Sequence, residues 1–405
     1  MVARKDLAFK EGFRLPQILL ISRKQGDMSK IVFNVDSVLP KLQQVNAAIG
    51  SKNVMAILGD VILKTHMDGD SPVMMCTTSD SENFMSVKCP LVECEAGTAI
   101  AVNAKDFVST LRNLSGRVIT LEENKERHTV KGKYENGHFE LPCDNADDFP
   151  NANLGIAEKI EKIIDAQTLA EAIASTECCI GNDGLRPVIN GIHFDFFEGE
   201  TVAVAFDGCR MAKYSNNSIT NEQPFSFNLP SKACKLMYSV LQKADGDVKL
   251  TYTEHHVTLS RHDFRVIARL YEGKYPPYNQ LIMKEYPIEV IVGKDALLGA
   301  LKAVSPASNA KSQQVVLTFT KGNLTISAED YEYSKSASVS IPCDYEGKEF
   351  KIAFKHSWLS ELVSNVLDDN VMLRITANNR PVLVVPETHD DTTEYVYLQM
   401  PMMML

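Results

Sequence analysis

No uninterrupted apolar stretch in these 405 residues approaches the roughly 18 needed for a membrane-spanning helix, so a helical membrane protein is not expected. Metal-ligand spacing is also missing. Cys89 and Cys94, the one pair that invites a zinc reading, have no second pair and no His nearby, so they read as packing residues. The nine cysteines are odd in number and scattered without repeated spacing, and the neighbours Cys178 and Cys179 are poorly placed to bridge each other, which suggests free thiols of a reducing cytoplasm. Positive charge is short as well: Lys and Arg total 42 against 52 Asp and Glu, a net charge of −10. A protein that coats nucleic acid by bulk attraction needs the reverse balance. Any contact with nucleic acid must therefore be local, through a few basic side chains gathered on one surface.

Catalytic signatures are absent from a chain long enough to hold an enzyme. There is no P-loop, no Gly-x-Gly-x-x-Gly, no His-Glu-x-x-His and no Gly-x-Ser-x-Gly. The acidic pairs Glu122-Glu123 and Asp147-Asp148 would point to opposite faces of a strand or sit in a solvated turn. Of His255-His256, in a predicted strand, only one ring could face a given site. No catalytic residue, metal or cofactor is expected, although a β-rich enzyme or carbohydrate binder whose site forms only in three dimensions stays open at this point. So does an assembly protein that builds rings or filaments without DNA.

What the sequence does have is a plan that recurs about every 125 to 130 residues, the length of a duplicated domain. A strand at Ser29 to Val35 leads into a helical pattern through Leu39, Leu42, Val45 and Ile49, with Asp36 as its predicted N-cap. The order returns at Ile160 to Ile164 with Leu169, Ala172 and Ile173, and again at Ile288 to Val292 with Leu297, Leu298, Leu301 and Val304. Strand-like segments follow at Ala56 to Lys64, Val188 to Phe197 and Val315 to Ile326. Second helices are predicted at Ala104 to Leu114, Ser231 to Gln242 and His356 to Val366, each followed by more strands. The fold class is thus α+β: three copies, each β-α-β-β-β twice over, with two helices on antiparallel sheet. Asp147-Asp148-Phe149-Pro150 and Tyr275-Pro276-Pro277 punctuate the joins. The expected domains are 28–152, 153–283 and 284–405, preceded by an extension, 1–27, read as a disordered tail or as sequence upstream of a true start at Met28.

Several segments carry a family resemblance. Leu42-Gln43-Gln44-Val45 with Ile57-Leu58-Gly59-Asp60, the link ending Asp-Asp-Phe-Pro-Asn at Asn151, Arg186-Pro187-Val188-Ile189-Asn190-Gly191, and Ala205-Phe206-Asp207-Gly208-Cys209-Arg210-Met211-Ala212 all resemble the bacterial DNA polymerase III beta subunits, or sliding clamps. So do Gly273-Lys274-Tyr275-Pro276-Pro277-Tyr278 and the ending Tyr395-Val396-Tyr397 with Met400-Pro401-Met402. The ending departs from the common pattern by an extra Leu398-Gln399 step and by Met403-Met404 where a basic residue usually precedes the last Leu. Asp207-Gly208 also makes sense as a plain tight turn, because glycine tolerates positive φ.

The resemblance implies a six-domain ring, a head-to-tail homodimer that encircles double-stranded DNA without reading its sequence and tethers the replicative polymerase alpha subunit, the clamp loader and other proteins with clamp-binding motifs. Sheet edges at Lys131 to Phe139 and Ser305 to Gln313 are the expected interface. Basic and polar side chains on or after the helices, Lys41, Lys52, Lys105, Arg112, Asn182, Arg186, Lys232, Lys235 and Lys302, are the expected DNA-facing set, with Glu171 and Glu177 as acidic members of the same lining. By motif, the partner groove comprises Ile189, Phe206, Gly208, Cys209, Arg210, Met211, Trp358, Val382, Leu398, Met400, Pro401 and Met402. Methionine suits such a surface because its polarizable, unbranched chain repacks around different ligands. The paired change Met211→Ala and Met402→Ala is expected to weaken peptide binding without unfolding the protein.

Overall fold

Six amphipathic stripes in the sequence become six α-helices among the described residues, each burying its apolar side against sheet. The computed structural model describes residues 30–152, 159–219, 221 and 223–404, so the extension 1–27 lies outside the described residues. The helices are α1 (Val35–Val45), α2 (Ala104–Arg112), α3 (Ala166–Thr176), α4 (Ser231–Leu241), α5 (Lys294–Val304) and α6 (His356–Asn365). In α1 the buried positions are Val35, Val38, Leu42 and Val45; in α5 they are Leu297, Ala300, Leu301 and Val304. That three-and-four spacing is one face of a helix, and each fully buried Leu or Val adds about 1.5 to 3 kcal/mol. The helices pack in pairs, α1 on α2, α3 on α4 and α5 on α6.

Every copy follows the same order, strand, helix and three strands, twice, and the first adds a two-residue strand, Glu93–Cys94, between its halves. Local details differ from the sequence reading. The N-cap of α1 is Asn34, whose side chain accepts from the Asp36 amide at 2.9 Å. Asp36 sits in the first turn instead, and its carboxylate takes the Ser115 hydroxyl and the Gly116 amide, which together hold it below the usual carboxylate range. The run Val315 to Ile326 is two strands, Gln314–Thr320 and Asn323–Asp330, because Gly322 turns the chain at φ +69°.

The chain divides into two compact units, and the second copy is split between them. The first unit comprises residues 1–165 and 245–269. Its strands form one continuous series of thirteen, in which Phe264–Arg269 of the second copy pairs antiparallel with Asn83–Pro90 of the first, Phe264 opposite Val87. Asp60 opens the strand Asp60–Asp68 almost fully buried beside Asp144. Burial and the neighbouring charge push its carboxyl from 3.8 up to about 7. The folded state therefore holds this proton more tightly than the unfolded chain, so stability falls as pH climbs from about 4 and the full penalty is present above about 7. A rise of that size corresponds to at most ~4 kcal/mol, and access of water to the pair reduces it to about 1 to 2 kcal/mol. Asp60→Asn is expected to raise the unfolding free energy by that amount at pH 8 and to leave it nearly unchanged at pH 4.5, as read from urea melts.

The second unit comprises residues 166–244 and 270–405. Here strand Arg210–Asn216 of the second copy pairs antiparallel with Thr393–Gln399 of the third, Met211 opposite Leu398, within an eight-stranded sheet. A separate four-stranded sheet runs Lys335–Pro342, Asn323–Asp330, Gln314–Thr320, Phe350–Lys355, which leaves Lys335–Pro342 as an edge.

Candidate functional site

The turn Asp207-Gly208-Cys209 joins strand Glu200–Phe206 to Arg210–Asn216 and stands at the seam of the second and third copies. Asp207 organises it. One carboxylate oxygen accepts the Cys209 and Arg210 amides at 2.9 and 2.6 Å, the other takes Arg210 Nε at 2.8 Å, and Gly208 adopts φ +96°, where a β-carbon would be strained. Arg210 is only 8% exposed. It reaches from the second copy to Glu361 on α6 of the third, and its guanidinium lies 5.2 Å from the Trp358 ring centre. Lys355 places its ammonium 4.3 Å from the same ring, so two cations share one tryptophan.

The chain end completes the wall. Met400 donates its amide to Cys209 O and Met402 to Ala353 O, both at 2.8 Å, and Gln314 Nε2 bonds to Met403 O at 2.8 Å. The additional Leu398-Gln399 step belongs to the last strand and is wholly buried, with Gln399 Nε2 bonded to Lys355 O at 3.3 Å; Met403 is 89% exposed. The twelve groove residues inferred by motif thus separate into layers. Ile189, Met211, Val382 and Leu398 are 0% exposed, and Ile189, Met211 and Leu398 share one apolar cluster. Phe206, Cys209, Trp358, Pro401 and Met402 are half-buried, while Gly208 and Met400 are exposed, so these form the accessible surface. Because Met211 is floor, not wall, the paired Met211→Ala and Met402→Ala change cannot be free of a stability cost.

Sequence reasoning missed the residues that brace this floor. Tyr275 and Tyr278, from the link between the second and third copies, join the cluster. Tyr275 stacks on His193 with 4.6 Å between ring centres, and Tyr278 donates to Asp195 at 2.8 Å. His193 Nδ1 meets Asn228 Oδ1 at 2.7 Å and its Nε2 meets Asp195 at 3.1 Å. Burial would raise the Asp195 carboxyl, but the bonds from His193 and Tyr278 outweigh it and hold the group low. The Tyr-Pro-Pro-Tyr spelling was the available signal, and it was read only as a linker.

The basic residues distribute unevenly. Lys105, Arg112, Lys235 and Lys302 are exposed on their helices, and Lys41 and Lys232 are half-buried on theirs. Lys52 does not end α1, which stops at Val45 and continues as a short 3-10 turn to Ala48; Lys52 lies exposed in the bend beyond. Asn182 is exposed. Arg186 is bound to Asp183 at 2.8 Å, and Lys235 approaches Glu177 at 3.7 Å. Glu171 turns to the sheet, where it accepts from the Tyr395 hydroxyl and approaches that of Tyr214, which removes it from the expected lining. Lys41, Lys52, Lys105, Arg112 and Lys302 form no ion pair among the described residues. Among those residues, too, no His, Cys, Asp or Glu cluster could hold a metal, and no helix is long and apolar enough to cross a membrane.

Models of the DNA polymerase III beta subunit match three times in succession: the N-terminal domain over residues 29–153, the central domain over 163–277 and the C-terminal domain over 279–402. The chain is 26% identical over 349 residues to the beta sliding clamp of Proteus mirabilis, covering 86% of this chain and 93% of that one. It is 25% identical over 374 residues to the beta sliding clamp of Escherichia coli K12, covering 92% and 99%. The crystal structure of a sliding clamp from Pseudomonas aeruginosa bound to griselimycin shares the fold with a TM-score of 0.86 at 22% identity, covering 93% of this chain and all of that one. With all three domain models matched in order, the chain belongs to the DNA polymerase III beta subunit family, the beta sliding clamps.

Proposed function

We propose that two copies of this chain close head to tail into a ring that encircles duplex DNA in the cytoplasm and tethers the replicative polymerase, the clamp loader and other motif-bearing partners through the groove around Arg210 and Met402. The family is a non-catalytic processivity factor, so its work is to hold, not to react. The domains of this reading are 28–152, 153–283 and 284–405.

One repeated feature carries the ring. The last strand of the second copy, Phe264–Arg269, pairs with the fourth strand of the first, Asn83–Pro90. In the same way the last strand of the third copy, Thr393–Gln399, pairs with the fourth strand of the second, Arg210–Asn216. Under that rule Lys335–Pro342, the fourth strand of the third copy, calls for the last strand of a first copy, Gly137–Asp144. Among the described residues, Gly137–Asp144 pairs with its own hairpin neighbour over residues 137–142 and has that stretch's other side unpaired. A second chain supplies the partner for each edge. This shifts the interface inferred from sequence: Lys131 to Phe139 overlaps the edge only in its last residues, and Ser305 to Gln313 is a 3-10 turn and loop beside the edge strand rather than the edge.

Encirclement needs no base contact, only basic side chains at phosphate distance. The test is retention: loaded protein stays on circular DNA and is lost when the circle is linearised, while a monomeric species retained equally on both would overturn the reading. Within it, Lys52→Glu is expected to weaken loading more at low salt than at high salt and to reduce the logarithmic salt slope by about one.

A further inference from the structure

Three cationic side chains surround the Cys209 turn, and two are already satisfied. Arg186 is held by Asp183, and Arg210 by Asp207 and Glu361. Lys355 differs. It is half-buried, its ammonium rests 4.3 Å from the centre of the Trp358 ring, and no carboxylate lies within ion-pair distance of it among the described residues. Its main chain is fixed, since Lys355 O accepts from the buried Gln399 and the strand Phe350–Lys355 also carries the bridge from Ala353 to Met402. The cation is therefore presented beside the accessible groove surface of Trp358, Cys209 and Met402 with its long stem packed and its charge unanswered.

We propose that Lys355 makes the groove selective for partner peptides that place a carboxylate, an Asp or Glu side chain, over Trp358. The inference rests on the groove reading above and specifies its ligand. The chemistry is charge complementarity in a partly dehydrated place. A carboxylate arriving there accepts from an ammonium whose position is already set, so little side-chain freedom is lost when the pair forms. The aromatic face beneath supports the cation without competing for its hydrogens. Arg210 is unsuited to this role, because Asp207 and Glu361 already answer its charge and it is buried. The pairing would act on partner choice more than on total affinity, which the apolar surface supplies.

Trp358 is the chain's one tryptophan, so its fluorescence reports occupancy of this place in the intact protein. Two synthetic peptides sharing apolar anchors would be titrated, one with a Glu at the position over Trp358 and one with Gln there, each at low and high salt. The wild-type protein is expected to prefer the Glu peptide by about five-fold at low salt, with the preference shrinking as salt rises. Lys355→Met is expected to bind both peptides alike, and Lys355→Glu to reverse the order in favour of a third peptide with Lys at that position. Equal affinity of the wild type for the Glu and Gln peptides would overturn the proposal while leaving the groove intact. Failure of all three peptides to perturb Trp358 or to bind by calorimetry would instead overturn the groove reading itself. Lys355→Met lies outside the seam of buried bonds, and an unchanged urea midpoint confirms that its effect is on binding.

Discussion

Arg210→Ala lowers the unfolding free energy of its unit by about 3 to 5 kcal/mol, the largest effect expected of any single polar substitution in this chain. The reason is geometric. The guanidinium is nearly buried, and its removal leaves Asp207, whose side chain is 14% exposed, without its ion-pair partner among the described residues. The same change opens the contact from the second copy to α6 of the third, and it strips one cation from Trp358. Glu361→Ala provides the contrast. Its side chain is 48% exposed, so losing it costs about 1 kcal/mol or less. Urea unfolding of the two variants side by side measures the difference; equal midpoints would mean that the Arg210 bridge does not hold the seam together.

Met211→Ala and Met402→Ala are expected to part company in the same assay. Met211 is completely buried opposite Leu398, and cutting it to Ala leaves a cavity in the cluster with Ile189, Val204 and Tyr275, at a cost of about 2 to 5 kcal/mol. Met402 is half-buried and fixed through its backbone amide, which alanine retains. Its truncation should change stability by less than about 1 kcal/mol and weaken partner-peptide binding by about ten-fold, as a wall residue of a small apolar contact would. Calorimetric titration with a peptide, set beside thermal melts, separates floor from wall. A strong loss of stability in Met402→Ala would show that the chain end is core.

The threefold plan was readable because periodicity survives without any knowledge of contacts. Leu39, Leu42 and Val45 mark a helix by spacing alone, although its buried face runs through Val35, Val38, Leu42 and Val45, and the interval to Leu169 and Leu297 marks the repetition. Which strand would meet which across copies was not readable, since pairing of Phe264–Arg269 with Asn83–Pro90 joins segments far apart in sequence. That gap misdirected the edge inference toward Ser305 to Gln313. The groove motif was visible as spelling, yet spelling does not carry depth. Met211 and Phe206 look alike as apolar letters, and only packing makes one floor and the other surface. Glu171 was misplaced for a related reason: a charged residue on a helix reads as solvated until tyrosines from two strands are found to bond it. Lys355 has no signal in the sequence because its meaning depends on Trp358 below it and on no acid lying within ion-pair distance among the described residues.

The edge strand Lys335–Pro342 also bears on how an unpaired chain avoids the wrong neighbours. As the edge of its sheet among the described residues, it offers backbone donors and acceptors on one side, the kind of template on which unrelated strands stack. This one begins with a lysine, ends with a proline, and sets serines at 336, 338 and 340 on its exposed side. Charge at one end, a missing donor at the other and short hydroxyls between them make promiscuous stacking poor, while Ala337, Val339 and Ile341 face the other way, the side on which the strand packs against α5. Misassembly is discouraged by the composition of the same eight residues to which the proposed ring assigns closure.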